Sequence, residues 1–159
     1  MSTGLLDRFF PNYKDSATFK MIDFIFTFLI YFFMALGAHE MFHAQLGRML
    51  GYQAIVHFPS WTSGFVTFTP LPVDLLHIFL IGIAGGGLVA LFFFGISFVT
   101  DDWETDMVMW FFVPFQGIYA ILEVLYMMHL VGIVFLGLVP PAIAVVPFIW
   151  KITERRKHI

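Results

Sequence analysis

Residues 21–43 read MIDFIFTFLIYFFMALGAHEMFH. The first eighteen are almost wholly apolar, with one acidic residue, Asp23. The stretch then ends in two histidines and a glutamate rather than in a loop. About 20 apolar residues in helical form cross the hydrocarbon of a bilayer, so this segment predicts a transmembrane helix over about 21–50 that carries ionisable groups near its far end. The whole chain agrees with that reading. Of its 159 residues 60% are hydrophobic and 12% are charged, where charged residues make up about a quarter of a soluble domain, and the mean hydropathy is +0.88. A chain this short cannot bury so much apolar surface in a core of its own, and lipid must solvate most of it. A soluble enzyme and a disordered linker are excluded on the same ground. A formal net charge of -3 provides no field for polyanions, so no nucleic-acid partner is expected. With no cysteine, disulfide scaffolds, Cys-ligated zinc, iron–sulfur clusters and thiol catalysis are excluded together.

Three more spans follow, at about 74–99, 107–130 and 132–150, which makes the expected fold an all-α membrane protein of about four transmembrane helices in a single domain. The second contains Gly85-Gly86-Gly87, small residues that allow close helix approach; without a strand–turn–helix context they are no phosphate loop. The acidic stretch TDDWETD, residues 100–106, reads as a link. Pro114 and Gly117 predict a kink in the third span, and Pro140, Pro141 and Pro147 an irregular fourth. Between the first two spans, GYQAIVHFPSWTSGFVTFTPLPV (51–73) has two short runs rich in β-branched and aromatic residues around a turn-like centre. It predicts a β-hairpin or re-entrant loop over 52–72. The N-terminal segment lacks the order of a cleavable signal, and Phe9, Phe10 and Tyr13 suggest that it lies on the membrane surface. Four spans put both termini on one side, with seven of the eight Lys and Arg (8, 14, 20, 151, 155, 156 and 157) and only Arg48 opposite. The positive-inside rule then places both termini in the cytoplasm, in a multi-pass protein of the cell membrane.

The chemistry lies in His39-Glu40-Met41-Phe42-His43, an H-E-x-x-H motif. On a helix, positions i and i+4 share one face, so His39 and His43 can grip one Zn²⁺ while Glu40 acts as general base toward the water that the metal activates. Chance puts this pattern into a chain of this composition about 0.006 times. The plainer reading is a polar cluster hydrogen-bonded to a neighbouring helix; ionisable groups deep in an apolar helix favour function. Catalytic zinc usually takes three protein ligands. Glu123, in GIYAILEVLYMMHL, is the carboxylate deep in another span. His39 lies about 27 Å along its helix from Met21 and Glu123 about 24 Å from Met107, on helices that run the same way, which places both at one depth. Asp106 falls at the opposite membrane edge, Asp101 and Asp102 in the link, and His129 within reach at the end of its span. His57 is placed to cover the site from the hairpin, His77 to sit at an interface and His158 to be solvated in the tail. Met127-Met128-His129 admits a copper reading, but methionine in so apolar a chain packs.

Residues 30–125 resemble the site-2 protease family of intramembrane zinc metalloproteases. AHEMFHAQLGRMLGY is similar to the family's H-E-x-x-H, small residue and short helix ending in glycine. GYQAIVHFPSWTSGFVTFTP stands where the family has a membrane-associated hairpin or sheet, IGIAGGGLVALFF where it has its next helix, and Pro114 with Glu123 where its last core helix supplies an acidic ligand. The resemblance implies zinc on His39, His43 and Glu123, catalysis by Glu40 and a transmembrane protein as substrate. The chain departs from the pattern in several ways. Its one asparagine is Asn12, Gly86 replaces a proline, Glu123 replaces an aspartate that precedes glycine, and the Lys/Arg balance reverses the usual orientation. Those departures keep a second function open, a non-catalytic subunit of a larger membrane complex, with or without a bound metal, held to partner subunits by aromatic and small-residue helix faces.

Overall fold

A computed structural model of the chain describes residues 16–100 and 102–156. Its order is α1 (Ala17–Met49), β1 (Gln53–Ser60), β2 (Ser63–Thr69), α2 (Leu75–Val99), α3 (Trp103–Met127) and α4 (Ile133–Arg156). All four helices are long and apolar enough to cross a membrane, and the chain is a multi-pass membrane protein with a short antiparallel hairpin after the first span. The surface segment expected around Phe9, Phe10 and Tyr13, together with Arg8, Lys14, Asp101, Lys157 and His158, falls outside the described residues.

The helix ends have local causes. Asp74 caps α2 by accepting from the backbone N–H groups of Leu76 and His77 at 2.8 and 3.1 Å. Asp102 caps α3 by accepting from the N–H and hydroxyl of Thr105, which satisfies donors that a helix start leaves orphaned. That cap moves the start of α3 into the acidic stretch: Trp103–Asp106 form its first turn, not a link, and place acidic side chains at the positive end of the helix dipole. Two other ends close by the same motif. Gly51, at φ 92°, and His129, at φ 59°, occupy the left-handed position after α1 and α3. The next residues, Tyr52 and Leu130, donate back to the carbonyls of Gly47 and Leu125 at 2.9 and 2.8 Å. At the chain's end α4 runs unbroken through Pro140, Pro141 and Pro147 and on to Arg156, beyond the expected end at 150; proline is tolerated in spans because neighbouring groups re-satisfy the backbone.

In the bundle α2 packs on α1, α3 on α2, and α4 on α3. Phe24 meets Phe148 and Asp106 pairs with Lys151 at 3.2 Å, so the starts of α1 and α3 share one end of the bundle with the end of α4. The half nearest that end holds an aromatic core of Ala35, Val89, Phe93, Val108, Met109 and Phe112, with ring contacts such as Phe28 to Phe112 and Phe93 to Phe112 at 5.1 and 5.6 Å. The other half is drawn together by glycine. A side chain at Gly86 would drive into the backbone of α3 at Gln116 and Ala120, and one at Gly82 would meet Val124. Close approach of α2 to α3 is therefore what the glycine run supplies.

The hairpin pairs Gln53 with Thr69 through His57 with Phe65, and after an irregularity Ser60 with Ser63. It folds back along α1: Phe68 seats its ring over Gly47, and Gly64 lies against the side chain of Glu40. Seven residues of helix are about 10 Å and four of strand about 13 Å, so the two elements run side by side and the tip reaches the level of Glu40. Arg48 ties the base by donating to the carbonyl of Ala54 at 2.8 Å.

Gly86→Ala tests the interhelix approach. Its methyl group would meet backbone that cannot step aside, and overpacking of this kind costs about 1–3 kcal/mol or more. The expected outcome is a lower thermal unfolding midpoint in detergent, while alanine at Gly37, where no atom lies within reach, leaves the midpoint unchanged.

Candidate metal centre

His39 and His43 stand one turn apart on the inner face of α1, with Glu40 beside them. They are 5%, 4% and 6% exposed. Glu123 projects from α3, four residues before its end. The nitrogens His39 Nε2 and His43 Nε2 are 2.9 Å apart, and each lies 3.1 Å from Glu123 Oε2. The three expected ligands are thus brought together, and among the described residues they form the one group of three such side chains able to hold a metal ion.

The protons on the rings decide what this triangle can do. His43 Nδ1 faces the carbonyl of Ile81 on α2, a group that only accepts, so Nδ1 carries the proton and Nε2 carries the lone pair. His39 Nδ1 likewise donates to Gln116 Oε1 at 3.2 Å. Two imidazole lone pairs and a carboxylate oxygen therefore converge on one point. Three lone pairs repel one another unless a positive charge sits among them. The corners of the triangle lie about 1.8 Å from its centre, just inside the about 2.0–2.1 Å bond length of zinc to nitrogen and oxygen. The donor set, its spacing and its outward-facing protons fit a divalent cation of that size. Outer partners of this kind normally hold ligating histidines in one tautomer and orientation.

Each partner has its place in the fold. Gly85 makes room for the His43 imidazole: a β-carbon there would collide with the ring at Nε2 and its two neighbouring carbons. Tyr119, one turn before Glu123, sets its ring edge-on to His39 at 5.2 Å between centroids. Beside the triad opens a cavity of about 200 Å³, lined by His39, Glu40, Gln116 and Tyr119, by the hairpin tip at Thr62, Ser63 and Gly64, and by apolar side chains of α1 and α3. Glu40 takes no part in the triangle; it lines this cavity and lies against Gly64 of the hairpin.

The other candidates lie elsewhere. His57 bonds to Thr67 Oγ1 at 3.0 Å and stacks on Phe65; the backbone around Gly64, not His57, covers the site. His77 meets the Tyr52 hydroxyl at 2.7 Å. His129 terminates α3, Asp106 pairs with Lys151 at the opposite end, and Asp102 caps α3. His129 does not join the metal-sized group. Gln116 and the Ile81 carbonyl are contributions that the sequence reading missed. Gln116 is 5% exposed and precedes Glu123 by seven residues, two turns on the same helix face; a polar side chain at that spacing is the signal that marks it. A backbone carbonyl leaves no such mark. The chain matches no family model, no curated protein and no solved structure.

The fit of His43 against Gly85 gives a double-mutant test. Gly85→Ala should destabilise the protein by about 1–3 kcal/mol. In a His43→Ala background most of that penalty should vanish, because the ring that the methyl group strikes is gone. Thermal unfolding of the four proteins in detergent measures the coupling; additive losses would contradict the contact.

Proposed function

We propose that the chain is an intramembrane metalloprotease of the site-2 protease type, hydrolysing peptide bonds of membrane-embedded substrates. The observation that carries this reading is a buried glutamate, Glu40, that lines the cavity beside three converging ligand atoms and takes no hydrogen bond from any described residue. A purely structural metal site has no use for such a group. His39, His43 and Glu123 would hold zinc, which when bound supplies a Lewis acid for the scissile carbonyl and makes water acidic enough to lose a proton near neutral pH.

The chain's own residues do the rest. Glu40 takes a proton from the attacking water as its oxygen bonds to the carbonyl carbon. It passes that proton to the leaving nitrogen as the C–N bond breaks, so that one water is consumed and a carboxylic acid and an amine are released. Gln116 and the Ile81 carbonyl keep both imidazoles turned toward the site throughout. A peptide bond within a helix is hidden by its own hydrogen bonds, so the substrate must unwind locally. The hairpin has only two strands, which leaves backbone groups at its edges that are costly to expose to lipid; an extended stretch of substrate would satisfy them by strand addition. The Lys/Arg balance of the sequence supports an orientation with both termini in the cytoplasm of a cell membrane and the hairpin end on the far side.

Glu40→Gln tests the assignment. In proteoliposomes with a pool of single-span membrane segments, the variant should keep its metal and lose at least about 100-fold of the cleavage rate, the scale of general acid–base catalysis. Fragment counting by mass spectrometry reads the result. Cleavage at the wild-type rate would overturn the role of Glu40, and metal retention with no cleavage by either protein would favour the non-catalytic subunit.

A further inference from the structure

The cavity beside the triad is longer than the reacting groups require, and its two ends differ. At one end stand His39, Glu40, Gln116 and the hairpin tip. From there it runs along α1 past Leu36 and Ala35 to Phe32, and along α3 past Phe115 to Phe112. The α1 path covers seven residues, about 10 Å of helix, and the α3 path four, about 6 Å, and Phe32 and Phe112 lie near the middle of their helices. The groove therefore descends from the site toward the bilayer midplane, and its deep walls carry no polar side chain. The whole cavity, polar end included, has a volume of about 200 Å³, against the about 150 Å³ in which an apolar cavity accommodates a benzene ring. The floor is firm: Phe115 stacks on Tyr119 at 6.0 Å, and Phe112 is held by Phe28 and Phe93.

From this geometry we infer that the groove is a specificity pocket for one bulky apolar side chain, leucyl or phenylalanyl, borne by the residue next to the scissile bond on its bilayer side. The inference rests on the proposed protease reading and narrows its substrate class. A small or charged residue at that position would leave the aromatic walls unfilled or bury an unpaired charge. Substrates would be segments in which a large apolar residue sits just inside the point of cleavage, with the polar flank lying under the hairpin tip.

The test uses the full chain in detergent, loaded with zinc, and three hydroxamates that differ only in an adjacent alanyl, leucyl or phenylalanyl side chain. Calorimetric titration should give the leucyl and phenylalanyl compounds at least about tenfold tighter binding than the alanyl compound. In Leu36→Trp, which fills the groove, that ratio should fall toward one; zinc content of the same sample verifies an intact site, and the wild-type series decides the matter should the variant not fold. Zinc retention with equal binding of all three compounds would overturn the pocket and leave the metal reading standing. A wild-type chain that retains no zinc would overturn the metal reading and the pocket with it.

Discussion

Two imidazole lone pairs and a carboxylate oxygen meet at about 3 Å from one another, inside a bundle that lipid surrounds. In water such an arrangement would relax by turning a ring outward. Here it cannot, because each ring's proton is committed to an acceptor on another helix: His43 to the backbone of α2, His39 to Gln116 of α3. Releasing either ring would strand a buried acceptor, a cost of about 1–3 kcal/mol in itself. The positions of α2 and α3 are therefore part of the site's geometry, and the mutual repulsion of the lone pairs is a demand that a bound cation would meet.

The remainder of the fold can be understood as what that constraint requires. α2 must come close enough for the Ile81 carbonyl to reach His43, which is why glycine stands at positions 82, 85 and 86, where larger residues would strike Val124, His43 and α3. The opposite half of the bundle has no such demand and is filled with aliphatic and aromatic side chains around Phe93 and Phe112, with Asp23, Thr27 and Thr105 buried near them. Lipid offers little hydrophobic drive for helices to associate, so contact quality and small residues carry the packing. The hairpin completes the site from the side that no helix covers, and glycine at position 64 lets its backbone lie against Glu40.

Much of this was legible in the residues. Four spans, a hairpin after the first, the i, i+4 pair of histidines and the matching depth of Glu123 follow from length, periodicity and rise per residue. Contacts that depend on how far one helix is rotated against another were not legible. Gln116 was overlooked because an amide in a span is less conspicuous than a carboxylate, although it shares a face with Glu123. The Ile81 carbonyl has no side chain to announce it. His57 looked like a cover for the site because hairpin residues alternate sides and its register was unknown; pairing with Phe65 turns it toward Thr67 instead. The start of α3 moved into the acidic stretch because capping by Asp102 outweighs the polarity of the residues that follow.

The most direct test of the account is elemental analysis of the purified protein beside His43→Ala, after both have been exposed to zinc and freed of excess by gel filtration. One zinc per chain is expected in the wild type and close to none in the variant, since two remaining ligands cannot hold the ion against exchange. A wild type without metal, or a variant that retains a full equivalent, would contradict the claim that these three atoms share a cation.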